Sequence, residues 1–198
     1  MAELKVGVLA SGRGSNLEAL ITRARGYRVV AAVSDRAGAY ALTRAANHGL
    51  TAVHIDPAAF SGRPAYETAA ADVLDGCGVD LVCLAGYMRL VGETLLARFP
   101  NRVMNIHPAL LPAFPGLHGQ RQALEYGVRY AGCTVHFVDG GMDTGPVILQ
   151  AVVPVLDDDT EDTLSSRILV EEHRIYPEAV ALFARQRLLM EGRRVRIC

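Results

Sequence analysis

Short, unbroken apolar runs alternate along the chain with stretches whose apolar residues recur every three or four positions. Val6 to Ala10 is the first run, and it ends in Ser11, Gly12, Arg13, Gly14, Ser15 and Asn16. Leu17, Ala19, Leu20 and Ile21 follow with helical spacing, so the pattern predicts a strand, a glycine turn and a helix. Tyr27 to Val33 repeats the buried-strand signature and stops at Ser34 and Asp35; Ala41, Leu42 and Ala45 then mark a helix running to Gly49. Thr51 to Ile55 predicts a short strand, Ala65 to Leu74 a helix, and Asp80 to Ala85 a strongly apolar strand. Strands that alternate with helices pair in parallel through right-handed crossovers, so the expected fold class is α/β, a doubly wound sheet covered on both faces.

Beyond Gly86 the rhythm changes. The pattern predicts a helix over Gly92 to Arg98, a strand over Arg102 to His107, and an irregular passage through Pro108, Pro112 and Pro115. A short helix near Gln120 to Tyr126 precedes two apolar runs, Gly132 to Val138 and Pro146 to Val155, joined by a glycine-rich connection from Asp139 to Gly145. So short a connection requires antiparallel pairing, which puts one antiparallel strand into the C-terminal half of a mostly parallel sheet. Asp157 to Thr160 opens a long helix whose first turn is acidic, as the helix dipole favours. Pro177 is expected to break or kink that helix near Tyr176, and Gly192 to end it. With no repeat, low-complexity stretch or linker, one domain over residues 1–198 is expected, with functional halves of about 1–100 and 101–198.

Composition narrows the chemistry. With 51% hydrophobic and 21% charged residues the chain can build a sizeable core, which excludes a disordered or fibrous protein. A formal net charge of −1 gives no global attraction to a polyanion, so neither nucleic acid nor a membrane is an expected partner. The one dense basic group, Arg193, Arg194 and Arg196, reads as a solvated chain end. No apolar run reaches the ~18 residues of a membrane helix. Met1 to Ala10, with Glu3 inside it, is too short for a secretion signal, so a cytoplasmic location is expected. Cys77, Cys83, Cys133 and Cys198 form no C-x-x-C pair; the first three read as small core residues, and no metal is expected. All but one of the 20 basic residues are arginine, the single lysine being Lys5 at the start of the first strand. That leaves no G-K-[ST] phosphate loop and no Schiff-base lysine, which removes Walker-type kinases and ATPases and pyridoxal enzymes.

The glycine turn can present backbone N–H groups, aligned with a helix dipole, to a phosphate. Gly12 and Gly14 also begin a G-x-G-x-x-G pattern, and Asp35 stands at the end of the following strand. However, the third glycine position is Leu17, and Ser15 and Asn16 place hydrogen-bonding side chains at the helix start. A single-phosphate cradle, a dinucleotide site and an ordinary capped turn are the three readings of this loop.

Asn105 and His107 flank Ile106 at the end of a buried strand, so pleating turns both polar side chains to one face. An amide donor beside an imidazole suits a reaction that develops negative charge on a carbonyl oxygen. A carboxylate would hold the imidazole and favour its charged form, and Asp143 is the best-placed candidate. The alternative is a histidine satisfied by main chain next to a strand-capping asparagine. Asp139 and Asp143 are spaced as in a calcium loop, but the glutamate such a loop ends on is absent, and His136 reads as core. No G-x-S-x-G elbow or cysteine nucleophile signature is present, so the nucleophile is expected to belong to a substrate.

Four ordered blocks carry a resemblance. They are Ser11 to Leu17, Leu84 to Arg89, Asn105 to Pro112 with Pro115 to His118, and Asp143 to Gln150. From about Lys5 to Leu188 the chain resembles the folate-dependent phosphoribosylglycinamide formyltransferases of purine synthesis. The resemblance implies that Gly14, Ser15, Asn16 and Glu172 contact the ribonucleotide, and that Asn105, His107 and Asp143 are the catalytic trio. It implies folate contacts at Arg63, Met88, Arg89, Leu90, Val91, Asn105, Asp139, Gly140, Gly141, Met142 and Asp143. The co-substrate would be 10-formyltetrahydrofolate, the acceptor glycinamide ribonucleotide, and the assembly a monomer or homodimer. Apolar Met88, Leu90 and Val91 suit the flat head of a folate, and Arg63 its carboxylates; the alternatives are core packing and a solvated arginine. Arg13 can reach a phosphate or point to solvent, Leu169 stands where relatives place a polar contact, and the glycine-rich loop predicts a mobile lid. A formyl-folate hydrolase with an N-terminal regulatory domain and a methionyl-tRNA formyltransferase with a C-terminal RNA-binding domain are the nearest rivals. Since the first strand opens the chain and few residues follow the long helix, neither extra domain is expected. A nucleotide sensor and an NAD-dependent oxidoreductase are rivals from other classes.

Overall fold

In the computed structural model, which describes residues 3–198, the first apolar run forms β1 (Leu4–Leu9) and leads through the glycine turn into α1 (Ser15–Thr22). The same alternation continues with β2 (Tyr27–Ser34), α2 (Tyr40–Asn47), β3 (Thr51–His54), α3 (Arg63–Gly76), β4 (Leu81–Leu84), α4 (Glu93–Arg98) and β5 (Val103–His107). A short 3-10 turn at Pro57–Ala59, capped by the Asp56 carboxylate, was not in the pattern. The chain divides into two compact units, one through Asn105 and one from Ile106. Within the first unit the strand order is β3-β2-β1-β4-β5 and the strands pair in parallel, for example Leu9 with Val33 and Leu84 with Asn105. Such strands must be apolar on both faces, and Val6, Val8, Val82 and Cys83 are accordingly fully buried. Gly7 sits where a Cβ would lie 2.9 Å from a methyl of Val79, so the glycine lets the chain after α3 approach β1 closely.

The second unit holds α5 (Gly119–Tyr126), β6 (Tyr130–Phe137), β7 (Val147–Pro154), α6 (Glu161–Ala184) and a hairpin of β8 (Leu188–Glu191) and β9 (Arg194–Ile197). β6 and β7 pair antiparallel, with Cys133 opposite Ala151 and a register shift at Val135/His136. α6 packs on both strands, burying Leu164, Ile168, Ile175, Tyr176 and Val180 at helical spacing. The fold is thus a doubly wound, mostly parallel α/β sheet with antiparallel pairing towards its C-terminal end.

Three expectations need correction. Pro177 lies inside α6, which runs for 24 residues, so it does not break the helix. A proline costs an interior helix about 3 kcal/mol. Burying Ile175, Tyr176 and Val180 around it returns roughly 1.5–3 kcal/mol each, so packing wins. Gly192 does not end the helix: α6 stops at Ala184, Gln186 takes a left-handed conformation (φ 55°), and Gly192 (φ 60°) opens the two-residue turn between β8 and β9. Arg193, Arg194 and Arg196 are exposed, as a solvated group requires, and they belong to this hairpin. Cys83 and Cys133 are buried, whereas Cys77 is only partly so and Cys198 is exposed. Among the described residues no helix is long and apolar enough to cross a membrane.

Candidate active site

In the first unit the glycine turn is fixed from several sides. Gly14 is the N-cap of α1 at φ 71°, and a Cβ there would lie 2.7 Å from the Ala41 Cα, so backbone and packing both demand glycine. The Ala41 N–H donates to the Gly12 carbonyl (3.1 Å), and the Ser11 N–H to the Gly86 carbonyl (3.1 Å). Because glycine has no side chain to cap with, no side-chain cap bond closes the start of α1, where the positive end of the helix dipole lies; Gly14 and Asn16 are buried there and Ser15 is half-buried. Arg13 is exposed, while its carbonyl accepts from Arg44 Nε (3.0 Å). Leu17 is fully buried, so the close glycine approach that a dinucleotide fingerprint requires is not available here.

Residues Met88 to Val91 form a strap held at both ends. The Met88 N–H donates to Ser11 Oγ (2.9 Å), and beyond Val91 the Gly92 N–H donates to the buried Glu67 carboxylate (2.5 Å), which also caps α4 through the Leu95 N–H (3.3 Å). Arg63 begins α3 with its Nε 3.9 Å from Glu67, and it is half-exposed. Met88 and Leu90 are 55% and 56% exposed, which removes the core-packing reading for both. The Arg89 guanidinium lies 5.4 Å over the Tyr66 ring, and the Tyr66 and Tyr87 hydroxyls are 2.8 Å apart. Burial pushes both phenols above their ordinary pKa.

β5 ends in Asn105 and His107, and in the second unit Asp143 is brought to His107. Its Oδ2 lies 3.4 Å from His107 Nδ1 and accepts the Gly116 N–H at 2.8 Å. The side chains of His107 and Asp143 are 5% and 12% exposed, so solvent screens their attraction little. His107 Nε2 is 2.9 Å from the Phe114 carbonyl, which can only accept, so this nitrogen carries a hydrogen. Asp143 itself is left-handed (φ 54°). Around it, the Asp139 carboxylate accepts the Gly141 N–H (3.1 Å) and the Thr144 hydroxyl (2.6 Å), while Met142 and Gly140 are exposed.

The formyl transferase family model matches residues 4–180. The chain belongs to that family. It is 41% identical to the phosphoribosylglycinamide formyltransferase of Escherichia coli over 94% of this chain and 90% of that protein. It is 45% identical to the trifunctional purine biosynthetic protein adenosine-3 of Drosophila melanogaster, of whose length the match spans only 14%. The solved glycinamide ribonucleotide transformylase 1 of Symbiobacterium toebii is 60% identical and superposes with a TM-score of 0.96, covering 98% of this chain and 93% of that one.

On this formyl transferase scaffold, Glu172 is buried on α6 and Leu169 is half-buried. Reading His136 as core is correct in that it is buried, yet its Nε2 also lies 3.7 Å from Asp143 Oδ1, so Asp143 stands between two imidazoles. Burial holds the His136 pKa below the usual imidazole value, opposed by the bond to the Phe137 carbonyl (2.8 Å) and the charge of Asp143. The signal that could have found it is periodicity: Thr134 and His136 are polar at i and i+2 in an otherwise apolar strand. Thr134 acts as well, donating to the Ala109 carbonyl (2.7 Å) and accepting the Leu111 N–H (3.0 Å), which pins the proline-rich passage after His107. A cavity of about 390 Å³ lined by Pro108, Phe114, Tyr126 and Tyr130 is apolar and touches none of the sequence-predicted site residues.

Proposed function

We propose that this chain transfers the formyl group of 10-formyltetrahydrofolate to the amine of glycinamide ribonucleotide, giving the N-formyl ribonucleotide and tetrahydrofolate in purine synthesis. Family membership and the names of its relatives support formyl transfer; the desolvated Asp143–His107 contact is the observation that carries the mechanism.

The uncapped start of α1 at Gly14, Ser15 and Asn16 receives the phosphate, and Glu172 contacts the ribonucleotide near its amine. Met88, Leu90 and Val91 receive the folate head, and Arg63 and Arg89 are the cations for its carboxylates. The strap and both arginines lie before residue 100. The Asp139–Asp143 loop covers the donor, and Asn105 lies beside the transferred formyl group.

The amine lone pair attacks the formyl carbon, forming a C–N bond and a tetrahedral oxyanion. The Asn105 amide donates to that oxygen. In the substrate-free geometry both His107 nitrogens face protein acceptors, so His107 Nε2–H leaves the Phe114 carbonyl for the oxyanion while Asp143 balances the imidazolium charge. Collapse breaks the bond between the formyl carbon and folate N10. The proton on the attacking nitrogen passes to N10, with water as the relay. Holding both reactants removes the entropy cost of their encounter.

The test is to incubate the full chain with 10-formyltetrahydrofolate, with and without glycinamide ribonucleotide, and follow deformylated folate and formylated ribonucleotide. Product in equal amounts, dependent on the amine, is expected. Equal deformylation without the amine would make the chain a hydrolase, and no turnover would refute the reading.

A further inference from the structure

We propose that Arg193, at the tip of the C-terminal hairpin, is a positioning residue that locks the Asp139–Gly145 loop in the form that holds Asp143 beside His107. The inference rests on the proposed formyl transfer. The Arg193 guanidinium donates to the Thr144 carbonyl at 2.7 Å, across 49 residues of sequence. Thr144 directly follows Asp143, whose left-handed backbone (φ 54°) is costly for a residue with a side chain. The Thr144 hydroxyl donates to Asp139 Oδ1, which also takes the Gly141 N–H, so one residue ties both ends of the loop and the hairpin holds that residue from outside.

The hairpin is built to hold this donor still. Gly192 (φ 60°) and Arg193 make a two-residue turn, with Glu191 opposite Arg194. β9 packs against β7, the strand the loop enters, and the Cys198 N–H closes on the Arg187 carbonyl (2.9 Å). Arg194 and Arg196 carry the same charge nearby, but Arg196 pairs with Glu191 (3.3 Å). The lid is therefore latched from the hairpin before any substrate arrives.

The experiment uses the full chain and its Arg193→Ala, Arg193→Lys and Arg194→Ala variants, with thermal melts to establish folding. Amide hydrogen exchange over residues 139–145 is measured first, without substrate; exchange there is expected to be faster in Arg193→Ala and near wild type in the other two. In the transfer assay, Arg193→Ala is expected to raise KM for 10-formyltetrahydrofolate roughly five-fold and lower kcat roughly three-fold, the size of one charge-assisted bond at an exposed site, leaving KM for the ribonucleotide unchanged. Arg193→Lys should restore most of both, since an ammonium can donate to the same carbonyl. Unchanged loop exchange in Arg193→Ala, or an equal effect from Arg194→Ala, would overturn the proposal. An inactive wild type would refute the transfer reaction instead, with the exchange data still deciding Arg193.

Discussion

At the scale of single residues, the chemistry depends on how few groups are left to water. In the proposed reaction Asn105 is the amide donor to the oxyanion, so Asn105→Ala should lower kcat roughly 10²–10³-fold with the fold intact; a near-normal rate would remove it from the mechanism. His107 is held by the Phe114 carbonyl, which is aimed by a left-handed backbone (φ 53°) and steadied by the Phe114 ring edge-on to Tyr126, 5.8 Å away. His136 predicts a pH effect on stability. Its pKa is lowered in the folded state by burial, with Asp143, His107 and Asp139 the charges that face it, so below about 6.5 the unfolded chain binds its proton more readily. The contribution is therefore complete above that value and is lost as the pH falls. The urea midpoint of the wild type should fall more steeply from pH 6.5 to 5 than that of His136→Gln, and parallel profiles would contradict the assignment.

At the scale of elements, the ends of helices and loops decide where side chains land. α6 starts with a reciprocal cap: Thr160 Oγ1 accepts the Thr163 N–H (3.2 Å) and Thr163 Oγ1 accepts the Thr160 N–H (2.9 Å). Thr160→Ala should cost about 1 kcal/mol and lower the melting temperature by roughly 2–4 °C. A Cβ on Gly145 would overlap the Phe137 carbonyl, so Gly145→Ala should displace the loop and weaken folate binding more than it lowers stability, as calorimetry would read. The β1 to β5 alternation, the antiparallel pair and the α1 turn were legible in the sequence because each rests on a local period or a glycine. The β8–β9 hairpin was not, because Leu188, Leu189 and Met190 prolong the apolar spacing of α6 and nothing local marks Gln186 as the stop. Glu67 was illegible for a different reason: a glutamate on a helix reads as solvent-facing, and the N–H groups it caps begin 25 residues later. Asp143 could be chosen as a candidate, but its 3.4 Å approach to His107 depends on the register of β6 and β7.

At the scale of the whole molecule, one chain supplies a helix start with no side-chain cap, an exposed apolar strap with two arginines, and an imidazole–carboxylate pair beside a loop bonded to the C-terminal hairpin. The central claim is that the charge of Asp143 acts on the reaction through His107. Asp143→Asn tests it most directly, because an asparagine oxygen still accepts the Gly116 N–H while the negative charge is gone. Steady-state formyl transfer by this variant, with folate affinity measured separately by calorimetry, should show kcat lowered roughly 10²-fold or more and affinity within a few-fold of wild type. A kcat close to that of the wild type would contradict the account.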